Sequence, residues 1–188
     1  MVTLTGVSLR SLGNRTCCKM YICLGPTGAG KTLLLKRLQN KEEIDVTSST
    51  VPTVGLNIVP VKLSSQKEIT IREIGGIMAP MWRNYYQGVK KIIYVVDASN
   101  LCQISAAGVL LYSILAEPCL KHTKVLLVLS KMDASYRQMR NEALLILQLN
   151  RLKKEITQEI TVVETSSITG EGIDRVMTWL QGARQQKK

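Results

Sequence analysis

One run of eight residues, Gly25-Pro26-Thr27-Gly28-Ala29-Gly30-Lys31-Thr32, limits what this sequence can fold into more than any other feature. It fits G-x-x-x-x-G-K-[ST] without a gap, a pattern that carries meaning between a strand and a helix. Both flanks comply. Lys19–Leu24 is short and apolar, as a buried strand is, and Lys31–Gln39 places Leu33, Leu34, Leu35 and Leu38 at helical spacing. The residue types suit one chemistry. Small residues let successive backbone N–H groups turn inward around phosphate oxygens, and the helix N-terminus adds partial positive charge there. Lys31 supplies a mobile cation for the β and γ phosphates, and Thr32 a hydroxyl for Mg²⁺. The run calls for a nucleoside triphosphate and leaves the base open. A chance glycine-rich turn would not carry all eight positions in that setting.

The remaining pattern supplies the frame. The polar segment Lys41–Thr53 reads as a loop. Leu56–Leu63 and Glu68–Ile74 read as strands joined by the turn-like Ser64-Ser65-Gln66, hence an antiparallel hairpin. Ile92–Val96 and Val125–Leu129 are continuous apolar runs of the kind found in parallel strands buried on both faces. Ile104–Ala116 is predicted helical and ended by Pro118; Glu142–Lys154 is predicted as one amphipathic helix carrying Leu144, Leu145, Leu147, Leu149 and Leu152. A strand over Ile160–Val163 and a closing helix over Glu171–Ala183 complete the series. The expected fold is therefore α/β: a three-layer phosphate-loop NTPase domain, with a mostly parallel six-stranded sheet, one antiparallel edge strand and helices on both faces. Residues 16–184 form that domain, between an extension at 1–15 and a basic tail at 185–188.

Charge and cysteine content narrow the setting. The 188 residues hold 25 Lys+Arg against 14 Asp+Glu, a formal net charge of +11, with 45% apolar residues and no Phe. That balance suits one soluble globular domain and an anionic partner. Residues 1–94 carry 13 basic and 5 acidic residues, and residues 95–188 carry 12 and 9, so the excess concentrates in the first half. No basic motif interleaved with aromatics accompanies it, so no nucleic-acid partner is expected. The five cysteines, Cys17, Cys18, Cys23, Cys102 and Cys119, make no spaced framework, and His122 stands alone. Free thiols in a reducing, cytoplasmic setting are expected, without zinc. No stretch reads as a membrane span or secretory signal. The first fifteen residues lack acids and carry Ser8, Arg10, Ser11 and Arg15, and a surface-lying extension is expected there rather than a transit peptide.

Three more pieces lie downstream: Pro52-Thr53-Val54-Gly55-Leu56-Asn57, Arg72-Glu73-Ile74-Gly75-Gly76 and Ser130-Lys131-Met132-Asp133. Each sits in a loop or at the C-terminal end of a strand, where open α/β sheets bind ligands. With these, with Trp82-Arg83-Asn84-Tyr85-Tyr86, with Glu164-Thr165-Ser166-Ser167-Ile168-Thr169-Gly170-Glu171-Gly172-Ile173 and with Trp179-Leu180, the chain resembles the Arf-like small GTPases from about Lys19 to Leu180. The resemblance implies a site for GTP or GDP and Mg²⁺ built from Gly25–Thr32 with Leu33, Thr53, Gly75, Gly76, Ser130, Lys131, Asp133, Ser166, Ser167 and Ile168. Thr32, Thr53 and Glu73 would face the metal. Thr53 and the Gly76 N–H would sense the γ-phosphate, and their release on hydrolysis would free two switch loops. Asp133 would accept two hydrogen bonds from the guanine edge, the Lys131 stem would lie over the base, and the Ser167 backbone would face the guanine carbonyl.

Four positions depart from the family pattern. Glu73 stands where Asp is usual, and its longer side chain would displace a water-mediated Mg²⁺ contact or bind the ion differently. Ile77 stands where Gln orients the attacking water, so hydrolysis should be weak or partner-dependent. Ser130 replaces an Asn whose amide would bridge base and phosphate loop, a loss of order 1–3 kcal/mol. Val2 replaces the Gly that N-myristoylation requires, leaving at most peripheral membrane contact through a basic surface. Two readings stay open: a monomeric GTP-binding switch acting on effector and regulatory proteins, and a pseudo-GTPase that holds nucleotide without cycling. A phosphate-loop kinase or ATPase would leave Asp133 and the switch runs unexplained.

Overall fold

A computed structural model describes residues 20–39, 51–64, 67–134 and 137–182. The expected extension at 1–15, Cys17, Cys18 and the tail at 185–188 lie outside those residues. Six strands form one sheet: β1 (Met20–Leu24), β2 (Leu56–Ser64), β3 (Lys67–Ile74), β4 (Val89–Asp97), β5 (Lys124–Ser130) and β6 (Glu159–Glu164). Their spatial order is β2-β3-β1-β4-β5-β6. Only the β2–β3 pair is antiparallel, because only there is the link too short for a crossover. The other neighbours pair in parallel. The expected fold class holds, edge strand included.

Helices α1 (Lys31–Leu38), α2 (Leu101–Leu115), α3 (Arg137–Ile146), α4 (Leu149–Glu155) and α5 (Ile173–Gln181) cover both faces. Side-chain alternation along the strands divides the core accordingly. Ile22, Leu24, Ile92, Tyr94, Val96, Val125, Leu127 and Leu129 pack with buried residues of α2, α3 and α4. Tyr21, Cys23, Ile93, Val95, Leu126 and Val128 pack with α1 and α5. This is why β1, β4 and β5 read as unbroken apolar runs, whereas edge strand β2 alternates between exposed and buried. In a core without Phe, Trp82 and Tyr94 are the bulkiest fully buried groups, and each spends its polar atom on a main-chain carbonyl. Trp82 Nε1 donates to Gly75 O at 3.2 Å and Tyr94 Oη to Ala107 O at 2.6 Å. Among the described residues no helix is long and apolar enough to cross a membrane.

Three helical expectations need correction. The single helix expected over Glu142–Lys154 is two, broken at Gln148, which takes a left-handed conformation (φ 46°) between α3 and α4. The break turns Leu147, Leu149 and Leu152 into one core, which an unbroken helix could not do with that spacing. The closing helix begins at Ile173, not Glu171, because Gly172 holds φ 75° and a Cβ there would meet Glu164 O at 1.9 Å. It stops at Gln181, before left-handed Gly182. Helix α2 begins at Leu101, earlier than expected, where the Asn100 side chain accepts from Gln103 N. A ten-residue 3₁₀ segment at Gly76–Tyr85 had no periodic signal.

Candidate functional site

The sheet aims the C-terminal ends of β1, β3, β4 and β5 at one edge, and a cleft of about 400 Å³ opens there. Chain segments from across the sequence line it: Thr27, Gly28, Gly30, Lys31, Thr32 and Leu33; Thr53; Gly76; Ser130, Lys131 and Asp133; Ser167 and Ile168. All of these were expected from the sequence. Val51, Pro52 and Ala134 line it as well and were not. The remaining expected residues, Gly25, Pro26, Ala29, Gly75, Ser166 and Glu73, do not line it; Glu73 lines a neighbouring hollow with Thr32 and Asn57.

At the phosphate-loop end, Lys31 Nζ donates to Gly25 O and Pro26 O, each at 2.8 Å. Burial, the main cause, holds its pKa below the ordinary lysine value, partly offset by the neighbouring Glu73 carboxylate. The same burial pushes the Cys23 thiol up and keeps it protonated. Gly76 lies directly on the loop. A Cβ there would stand 2.2 Å from Thr27 N, so the strand-β3 exit and the phosphate loop can meet only because residue 76 has no side chain. Gly75 N donates to Gly55 O at 3.0 Å, tying this exit to the segment that carries Thr53.

The Thr32 and Thr53 hydroxyls are 3.0 Å apart. Both donate to Glu73 Oε1, Thr53 at 3.3 Å, while Asn57 Nδ2 donates to Glu73 Oε2 at 3.2 Å. These oxygens are all hard donors, the chemistry that suits Mg²⁺. Asn57 lay inside a quoted motif, yet its bond to Glu73 was missed. The β2–β3 register, which sets Asn57 opposite Glu73, is the signal that finds it.

At the other end, Ser130 Oγ donates to Ala29 O at 2.7 Å and Val96 O at 3.0 Å. The hydroxyl thus keeps the tie to the phosphate loop that an Asn amide was expected to supply; what a hydroxyl so committed lacks is a second donor for the base. Asp133 Oδ1 accepts from Ser166 Oγ at 2.5 Å, and Ser166 Oγ accepts from Thr169 N at 3.1 Å. Ser166 is fully buried, so this relay fixes the carboxylate from behind. Lys131 (φ 58°) pairs its ammonium with Asp97 Oδ2 at 2.7 Å. Asp97 is in turn fixed by Ser99, whose N–H and hydroxyl donate to Oδ1 at 2.9 and 2.6 Å. Asp97, missed from the sequence, closes β4 opposite Ser130.

The chain is similar to known proteins. Residues 7–183 match the ADP-ribosylation factor family. The human ADP-ribosylation factor-like protein 16 is 36% identical over 172 residues, spanning 88% of this chain and 86% of that protein. ADP-ribosylation factor-like protein 1 of Caenorhabditis elegans is 33% identical over 169 residues, 89% of each. In fold, the chain is similar to the Arl6 BBS3 small GTPase of Trypanosoma brucei, solved with the bound nucleotide analogue GppNp. That match has a TM-score of 0.72 at 20% identity and covers 87% of this chain and 95% of that one. On these matches, this chain belongs to the ADP-ribosylation factor family.

Proposed function

We propose that the chain is a guanine-nucleotide switch of the Arf-like type. The observation that carries the reading is the placement of Asp133 at one end of the cleft and Lys31, Thr53 and Gly76 at the other. In this reading the phosphates lie on the N–H groups of the loop, and Lys31 exchanges its two carbonyl partners for phosphate oxygens. Asp133, held by Ser166, accepts from the guanine ring N–H and amino group; adenine lacks that donor pair. The Lys131 stem, anchored through Asp97, lies over the base, and the Ser167 backbone faces the guanine carbonyl. Thr32, Thr53 and Glu73 hold Mg²⁺, which when bound neutralises phosphate charge. Thr53 and Gly76 follow the γ-phosphate, and effector proteins read the result. The exposed apolar side chains Val54, Ile58, Ile77 and Met81, on or beside these loops, supply the surface for that reading.

Hydrolysis is weak or partner-dependent in this proposal. Ile77 is 71% exposed and offers no atom to orient a water. The same observation favours a second reading, a pseudo-GTPase module that binds nucleotide without cycling. The protein acts in either case as a cytoplasmic monomer, with its basic surface giving at most peripheral contact with acidic membranes or partners. Identifying the nucleotide released from purified, denatured protein tests the proposal. GTP or GDP is expected, and ATP would sink both readings. Retention of GTP alone favours a slow or locked switch.

A further inference from the structure

Because β1, β3, β4, β5 and β6 run parallel, their first residues share the edge of the sheet opposite the cleft. Lysines collect on the β4–β6 half of that edge. Lys90 stands on β4 one position before Lys91, the register partner of Lys124 at the start of β5. Lys121 lies in the turn that enters β5, and its main-chain oxygen accepts from Thr157 Oγ1 at 3.3 Å. Thr157 follows α4, whose last turn carries Lys153 and Lys154. Gln158 Nε2 donates to Leu115 O at 2.9 Å and joins the same loop to the end of α2. Lys90, Lys121, Lys124, Lys153 and Lys154 are thus brought from separate elements to one end of the molecule, and all are exposed.

The acids nearby do not cancel that charge. Glu159 pairs with Lys124 at 2.7 Å, Glu155 with Arg151 at 2.9 Å and Glu117 with Arg83. Lys90, Lys121, Lys153 and Lys154 form no ion pair among the described residues. Like charges gathered in this way raise the local potential, and an anionic surface laid against them is attracted. The residue type indicates which surface. Lysine carries a compact, strongly hydrated point charge that suits a diffuse layer of anions, whereas the planar arginine fork suits the phosphates of a nucleic acid. Arg151, on the same helix as Lys153 and Lys154, already donates to Glu155.

We propose that this lysine face docks on the anionic phospholipid headgroups of a membrane. The inference rests on the switch reading above for its use: a molecule so seated turns the cleft and the segments around Thr53 and Gly76 away from the bilayer, open to partners. The two ends are electrically separate. Strand β4, from Val89 to Asp97, sets them about 26 Å apart at about 3.3 Å per residue. That is more than twice the Debye length of about 8–10 Å, so phosphate charge in the cleft does not reach the lysines. Docking is therefore independent of which nucleotide is bound, and it weakens with salt. Each lysine near such a surface contributes about fivefold to partitioning.

The experiment floats the full chain, loaded in turn with GDP and with GppNp, on vesicles of phosphatidylcholine alone or of about seven parts phosphatidylcholine to three of phosphatidylserine. Binding is expected on the serine-containing vesicles only, equal in the two nucleotide states, and lost between about 0.05 M and about 0.3 M salt. Lys153→Glu with Lys154→Glu, and separately Lys90→Glu with Lys121→Glu, should each lower partitioning about twenty-five-fold or more. The two variants alter different elements, so if one fails to fold the other decides. No binding by the wild-type chain, binding that a folded variant retains, or binding in the GppNp state alone overturns the proposal. A wild-type chain that leaves the vesicles for single-stranded RNA overturns it too and assigns the lysines to nucleic acid. Nucleotide content keeps the two readings apart. Absent lipid binding with GDP or GppNp retained strikes this inference alone, and lipid binding by a chain that retains neither strikes the switch reading alone.

Discussion

Lys31 donates to two main-chain carbonyls of its own loop, so a phosphate that replaces them meets an ammonium already stripped of water by burial. A charge-assisted contact of that kind contributes about 1.5–3 kcal/mol, more than tenfold in affinity. Lys31→Ala is therefore expected to weaken GDP binding more than tenfold by titration calorimetry; unchanged affinity would remove Lys31 from the site. Ile77 tests the hydrolysis argument separately. Because its side chain is exposed, Ile77→Gln should leave stability within about 0.5 kcal/mol. It is expected to raise single-turnover GTP hydrolysis, and an unchanged rate would locate the defect elsewhere. Lys31 and Thr32 were legible because their chemistry is written within eight consecutive positions. Asn57 and Asp97 were not. Their partners Glu73 and Lys131 lie on other segments, and only sheet register and a loop's path bring them together.

Elements were legible where periodicity and burial agree. The central strands β4 and β5 had no competing pattern, and the β2–β3 hairpin followed from its short link. The α3–α4 region failed for a physical reason: Leu145, Leu149 and Leu152 fall on one face of a continuous helix, whereas the break leaves Leu145 exposed and buries Leu147 with Leu149 and Leu152. The break sits at a glutamine in the left-handed region, a conformation that costs an L-residue about 1–2 kcal/mol. Glycine there escapes that strain but loses about 0.5–1 kcal/mol in chain entropy. Gln148→Gly is thus expected to stabilise by roughly 0.5–1 kcal/mol, a rise in Tm of about 1–4 °C for a chain of this size. A fall in Tm would mean that the Gln148 side chain contributes more than its backbone strain removes. The segment at Gly76–Tyr85 shows the opposite limit. Its sequence has Pro80 and no periodic stripe, and it keeps its form through tertiary anchors such as Trp82 against Gly75.

At the scale of the molecule, the cleft is made of segments that are remote in sequence and share no cover except each other. The phosphate end depends on the β1–α1 turn and the β3 exit; the base end depends on β5 and the loop after β6. A nucleotide spanning both ends bonds segments that local opening would separate, so it should stabilise the whole domain rather than one loop. A ligand that binds only the folded state contributes RT ln(1 + [L]/Kd), about 2.7 kcal/mol at a hundredfold excess over Kd. For a domain of this size each kcal/mol moves Tm by about 2–4 °C, so GDP with Mg²⁺ should raise it by roughly 5–10 °C. Lys31→Ala, with its affinity reduced at least tenfold, should lose about half of that shift or more at the same GDP concentration. ATP should give no comparable rise, because Asp133 repels an edge that offers it no donor pair. Differential scanning fluorimetry on protein stripped of nucleotide separates these outcomes. An equal rise with ATP would keep the phosphate site and discard the base assignment, whereas no rise with either nucleotide would discard the cleft as a nucleotide site.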